Sequence, residues 1–195
     1  MIAVSTMRQA WVAVRLLLVM TLVLGVLYPL GVFVVGRIVA DRADGSFVTA
    51  ADGRTVGSSL IGQTFEGAGY FRSRPSAAGA DGYDALSSGG SNLGPNNPDL
   101  VAAVQERRDS VATEEGVDPS AVPADAVTAS ASGLDPHISP AYAELQVARV
   151  ARERNLPVVE VRRLVEQSTD GRVLGFLGEP GVNVLALNLA LDELR

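Results

Sequence analysis

The chain has one histidine, His137, in the run Ser-Gly-Leu-Asp-Pro-His-Ile-Ser-Pro (132–140), with Asp135 and Ser139 two residues to either side. Serine, histidine and aspartate are the residue types of an acyl-transfer triad. Triads, however, are assembled in space from separated segments, and no Gly-x-Ser-x-Gly elbow exists to expose a nucleophile. The simpler expectation is local: Asp135 and Ser139 make turn and cap hydrogen bonds, and His137 bonds a backbone group or a partner. A lone histidine without any cysteine cannot complete a structural zinc site, and no D-x-D-x-D-G loop offers calcium ligands. These residues therefore predict neither catalysis nor a metal site.

Leu86-Ser87-Ser88-Gly89-Gly90-Ser91 is similar to the Leu-Ser-Gly-Gly signature of ABC-type ATPases, which makes Ser88, Gly89, Gly90 and Ser91 weak candidates for meeting a nucleotide phosphate. No P-loop accompanies them, and with no lysine in the chain none can form. A glycine-permitted turn is the plainer reading. Arg72 and Arg74 beside Tyr70 and Phe71 are the one compact basic and aromatic cluster. Such residues anchor protein interfaces, although an arginine stacked on tyrosine within its own domain fits equally well.

The elements that must carry these residues begin with a membrane anchor. Between Arg15 and Arg37 lie 21 uncharged residues, about the length that crosses a 30 Å hydrocarbon core. Leu16, Leu17, Leu18, Val19, Leu22, Leu24, Leu27, Leu30, Val32 and Phe33 supply its apolar surface. A cleaved signal has a shorter apolar region, roughly 7 to 15 residues, and a small-residue cleavage site. Arg8 and Arg15 precede the span without acids, whereas Asp41 and Asp44 accompany Arg37 and Arg42 after it. The positive-inside bias then places the N-terminus in the cytoplasm and the remainder outside. Beyond the span 22 Asp and Glu face 14 Arg, a net charge of −8 that excludes a nucleic-acid surface. The absence of cysteine leaves the external part to rely on its core or a partner.

The organisation expected is a cytoplasmic tail (1–9), a transmembrane helix (10–36), a polar connector (37–55) and one extracytoplasmic α/β domain (56–195). A strand is expected over 56–65, with a second short extended piece from Tyr70 to Arg74, and the Gly- and Pro-rich stretch 75–98 reads as a long loop. Asn97-Pro98-Asp99 starts a helix with Val101, Val104 and Val111 along its apolar stripe, closed by Gly116. Val127 and Thr128 suit a short strand. Ser139-Pro140 starts another helix, with Ala143, Val147 and Val150 facing inward and an end near Asn155. A third follows Pro157 and buries Val158, Val161, Leu164 and Val165. The run Val182–Leu194 fits strand or helix, and its length favours helix. The fold class is mixed α/β behind a single membrane helix.

Five blocks in order then resemble a known family over nearly the whole chain: Gly57-Ser58-x-Leu60-Ile61-Gly62-Gln63, Tyr70-Phe71-x-x-Arg74-Pro75-Ser76, Ser88-Gly89-Gly90-Ser91-Asn92-Leu93-Gly94-Pro95, Gly133-Leu134-Asp135-Pro136-His137-Ile138-Ser139 and Gly178-Glu179-Pro180-x-Val182-Asn183-Val184-Leu185. The family is the C subunit of the Kdp potassium-transporting ATPase (KdpC). Ala131 and Gly181 depart from its pattern, which often has glycine and a larger residue there. The resemblance implies an accessory subunit, beside a potassium-conducting subunit, a P-type ATPase subunit and a small membrane subunit. It implies that catalysis belongs to the neighbours, that ATP is bound by the catalytic partner and potassium is the transported ion, and that the C subunit acts as a catalytic chaperone raising ATP affinity. No firmly bound cofactor is expected. Gln63, Tyr70, Phe71, Arg74, Asn92, Asp135 and His137 are the motif positions marked as partner-interface candidates. Two other readings stay open: the external domain capping the potassium entrance, and a membrane-anchored binding module independent of the pump.

Overall fold

A computed structural model describes residues 2–194, the side chains from Thr6 onward. The chain divides into two compact units, 1–46 and 47–195.

The first unit is almost entirely helical. Helix α1 (Ile2–Leu22) runs through a π-turn (Val23–Leu27) into α2 (Tyr28–Ile38). Pro29 explains the π-turn: it has no N–H for the carbonyl four residues back and its ring crowds that turn, so the ladder widens locally. The residues from Thr6 to Ile38 form a helix long and apolar enough to cross a membrane. All ten expected lipid-facing residues are exposed, which suits lipid or a partner helix and not water. The expected tail over 1–9 is instead helical from Ile2, because no helix breaker precedes the apolar run.

The connector is also shorter than expected. Helix α3 (Ala40–Ala43) fills part of it, and β1 (Phe47–Thr49) pairs antiparallel with β2 (Thr55–Ser58). The second unit therefore begins at Phe47 and not at Val56, since Asp52-Gly53 makes the turn of a hairpin whose first strand lay within the assumed linker.

The second unit is built on four helices and a small sheet. Helix α4 (Pro98–Glu115) starts as expected: the Asn97 side chain accepts from the Asp99 amide, and left-handed Gly116 closes it. Val104 and Val111 pack on the core, but Val101 is exposed because it lies in the first turn, beyond the neighbouring helix. Val127 and Thr128 end a 3-10 turn (Ala124–Ala126) and form no strand. Strand β3 (His137–Ile138) leads into α5 (Pro140–Arg154), capped by Ser139 and ended by left-handed Asn155. Ala143, Val147 and Val150 are fully buried there, as their spacing requires. Helix α6 (Val158–Gln167) buries Val161, Leu164 and Val165; Val158, its first residue, stays largely outside.

Strands β4 (Thr169–Asp170) and β5 (Gly181–Asn183) complete a three-stranded antiparallel sheet in the order β3-β5-β4. The ambiguous C-terminal run resolves into both answers: β5 switches at Asn183, whose side chain caps α7 (Val184–Asp192). The result is a mixed α/β unit behind one long apolar helix.

Between β2 and α4 the chain has no helix or strand, and polar side chains of α5 and α7 take the place of sheet partners. Asn188 accepts from the Phe71 amide at 2.9 Å and donates to its carbonyl at 3.0 Å. Gln146 does the same for Arg72. Arg149 donates to the Ala68 and Tyr70 carbonyls and to Glu115, at 2.9 Å, with the side chains of both ionic partners almost fully buried. The expected extended piece Tyr70–Arg74 is thus extended without being a strand.

Candidate functional site

The short sheet brings the chemistry-bearing residues of the Ser132–Pro140 run to one place. Across the central strand His137 on β3 pairs with Asn183 and Asp170 on β4 with Gly181, and the imidazole Nε2 lies 3.7 Å from the Asp170 carboxylate. A β-carbon at Gly181 would sit 3.3 Å from the His137 β-carbon. The histidine therefore lies close over the strand, where a side chain at 181 would crowd it. On the other side, Asp135 accepts from the His137 amide at 3.0 Å and lies 3.4 Å from Nδ1. Arg74, from the irregular segment, pairs with Asp135 at 3.2 Å.

These groups line an open cleft of about 780 Å³ that also includes Asp125 and Glu179. Ser139 does not complete a triad. Its hydroxyl donates to Asp125 at 2.9 Å and accepts from the Tyr142 amide, so the cleft pairs no hydroxyl nucleophile with His137. Among the described residues no group of His, Asp and Glu is placed to hold a metal ion.

The Asp135 hydrogen bond raises the His137 pKa above its ordinary value, against the opposing effect of burial, and Asp170 adds to the rise. Asp135 is correspondingly held below the usual carboxylate value, chiefly by His137. The signs decide the pH window. A raised histidine stabilises fully below its unfolded value near 6.5 and loses this as pH rises through the folded value. A depressed aspartate stabilises above its unfolded value near 3.8 and loses this as pH falls through the folded value. The pair is thus strongest between about pH 4 and 6.5. Because His137 is the sole histidine, its proton NMR titration is unambiguous: the midpoint should lie above 6.5, and Asp135→Asn should lower it. An unchanged midpoint in that variant would assign the shift elsewhere.

The glycine-rich segment is packed against the same run. The Ser88 hydroxyl and Gly89 amide both donate to the Ser132 carbonyl, at 3.1 and 2.8 Å. Two of the donors a phosphate cradle would offer are therefore engaged within the fold, which is how a packed turn holds Ser88 and Gly89. Gly133 is buried at φ +67°, and a β-carbon there would come within 2.6 Å of the Gly89 carbonyl oxygen and 2.8 Å of the Ala78 amide nitrogen. Ser76 ties the other end, donating to the Gly133 carbonyl at 2.6 Å.

The remaining interface candidates separate. Phe71 is fully buried in the unit's own core and presents no surface to a partner, because its backbone clamp turns the ring inward. Tyr70 is half-buried, bonds Asp192 and carries Arg154 4.4 Å above its ring. Gln63 donates to the Val56 carbonyl and bridges its own loop to β2. Asn92 is exposed in the left-handed region. Sequence reasoning passed over one feature, the segment after β4, where Val173, Leu174, Phe176 and Leu177 are all exposed. Its signal was available: four large apolar residues among Gly171, Gly175 and Gly178, with no polar alternation to bury one side.

The family described as K+-transporting ATPase, c chain (KdpC) matches residues 10–193. The Potassium-transporting ATPase KdpC subunit of Kineococcus radiotolerans is 60% identical over 187 residues, covering 96% of this chain and 94% of that protein. Its counterpart in Beijerinckia indica is 55% identical, covering 90% and 89%, and that of Mycobacterium tuberculosis is 52% identical, covering 96% and 99%. A match spanning both the membrane helix and the unit that carries the cleft leaves one conclusion: the chain belongs to the KdpC family.

Proposed function

We propose that this chain is the accessory subunit of an ATP-driven potassium uptake complex, anchored by its apolar helix with the N-terminus cytoplasmic and residues 47–195 outside. The observation that carries the reading is the family match from residue 10 to 193, which takes in the anchor and the second unit together. The partners are a potassium-conducting subunit, a P-type ATPase subunit that binds ATP, and a small membrane subunit; potassium is their cargo.

The subunit acts as a catalytic chaperone by raising the apparent ATP affinity of its partner through conformational coupling and not by touching the nucleotide. Two observations support this. The Ser88 and Gly89 donors are already engaged with Ser132, and Arg8 and Arg15 precede the span without acids while Asp41 and Asp44 follow it, which favours the second unit lying on the side without ATP. A coupling free energy of about 1–3 kcal/mol corresponds to roughly a 5- to 150-fold change in affinity.

The test is potassium-stimulated ATPase activity of the purified complex with the full chain and with a chain ending at Ser46. The truncated complex should need at least about 5-fold more ATP for half-maximal activity. A complex that assembles and runs with unchanged ATP dependence would overturn the coupling role.

A further inference from the structure

A neutral imidazole carries one N–H and one lone pair, so it can face only one carboxylate favourably, whereas the imidazolium presents an N–H at each end. His137 faces a carboxylate at both ends, Asp135 at 3.4 Å from Nδ1 and Asp170 at 3.7 Å from Nε2. The arrangement therefore fits the charged ring, and the upward shift of its pKa agrees. Gly181, the residue of β5 opposite Asp170, lets the ring reach across the strand: a β-carbon there would lie 3.5 Å from the imidazole Cγ and Cδ2. The central strand itself (Gly181–Asn183) brings no titratable group.

The two carboxylates are not equally held. Asp135 also pairs with Arg74 at 3.2 Å and accepts from the His137 amide. Asp170 is 81% exposed and forms no other ion pair among the described residues. The other acids of the cleft have partners of their own: Asp125 accepts from the Ser139 amide and hydroxyl, and Glu179 pairs with Arg172 at 2.6 Å. When the ring loses its proton, the nearer and better-held Asp135 keeps the remaining N–H, and Asp170 is left facing a lone pair.

Asp170 is also the last residue of a two-residue edge strand, so little else fixes it. Beyond it the chain is closed on itself, by the Arg172–Glu179 pair and by backbone hydrogen bonds between Val173 and Leu177. Segment 171–180 thus hangs as one piece from Asp170 and Gly181, and its Gly171, Val173, Glu179 and Pro180 line one side of the cleft.

We propose that His137 is a proton-operated latch on this segment. Charged, it ties Asp170 to the Asp135 turn across the central strand and holds the segment against the cleft. Neutral, it releases Asp170, and the segment swings out and widens the cleft. Because folding raises the His137 pKa, the latch is shut below the ordinary histidine value and opens as pH rises through the folded one. The latch does not depend on the accessory-subunit reading.

The test is deuterium exchange of the full chain in detergent, followed by mass spectrometry at about pH 5.5 and about pH 8, on either side of the histidine range, with intrinsic exchange rates divided out. Protection of amides in 169–181 should be about two- to fivefold lower at the higher pH, the size of effect an exposed ion pair supplies. Amides of α5 and α6 should be protected equally at both. In Asp170→Asn, whose side chain is exposed and leaves the core untouched, protection of 169–181 should no longer depend on pH. Equal protection of 169–181 at both pH values in the unaltered chain overturns the latch. So does a pH dependence that survives Asp170→Asn, or one that spreads through α5 and α6 and so reports opening of the whole unit.

Discussion

Replacing Arg149 with methionine is expected to destabilise the second unit by about 3–5 kcal/mol, as breaking one side of a buried ion pair does. Its side chain and that of Glu115 are 3% and 2% exposed, so the remaining carboxylate has no water to turn to. The arginine also closes the loop by donating to the Ala68 and Tyr70 carbonyls and to Gln146. The pH dependence separates these parts. Burial raises the Glu115 carboxyl above its ordinary 4.5, against the lowering effect of Arg149. A carboxyl raised on folding holds its proton more tightly in the folded chain, so its penalty is fully present above the raised value and vanishes as pH falls toward 4.5. Urea unfolding of the full-length chain in detergent should therefore show a larger loss at pH 8 than at pH 5. The loss should not vanish at pH 5, because the backbone carbonyls stay unpaired. Adding Glu115→Leu should recover part of the stability at pH 8; a strictly additive double variant would show that the two side chains are not coupled.

Gly133→Val is expected to cost about 3–6 kcal/mol, roughly 10–20 °C in melting temperature for a unit of this size. Three contributions combine: the left-handed backbone, about 1–2 kcal/mol; overpacking against backbone, about 1–3 kcal/mol; and the Gly89–Ser132 hydrogen bond, about 1 kcal/mol. The neighbouring atoms are main-chain groups of Gly89 and Ala78, which cannot swing away as the end of a side chain can. If the substituted chain melts within about 2 °C of the unaltered one, segment 76–90 is not held against 130–133 as described.

Much of the fold was legible where the determinants are local. Asn97 and Ser139 each precede proline and cap a helix, and Gly116 and Asn155 end those helices in the left-handed region. The long apolar helix follows from composition alone. What the sequence hid is which neighbour a residue meets. Phe71 and Tyr70 look alike beside two arginines, yet Asn188, 117 positions away, turns Phe71 into the core. Val101 and Val158 continue an apolar spacing but sit in first turns, outside the reach of the core. In the Ser132–Pro140 run the turn and cap bonds of Asp135 and Ser139 were local and foreseeable, whereas Asp170 and Arg74 join His137 only through the strand order β3-β5-β4 and the long loop.

The loop pinned by Asn188 also sets an order of events during synthesis. Phe71 and Asn188 are separated by most of the unit, so this clamp waits for α7, whereas the clamps from Gln146 and Arg149 of α5 can form earlier. A nascent chain released to residue 180 would hold the segment 59–97 without its α7 clamp, and the Phe71 backbone would lack its Asn188 partner. Completion of the Phe71 clamp is thus a late step, and the interval before it is when the chain is most open to proteases and to premature association.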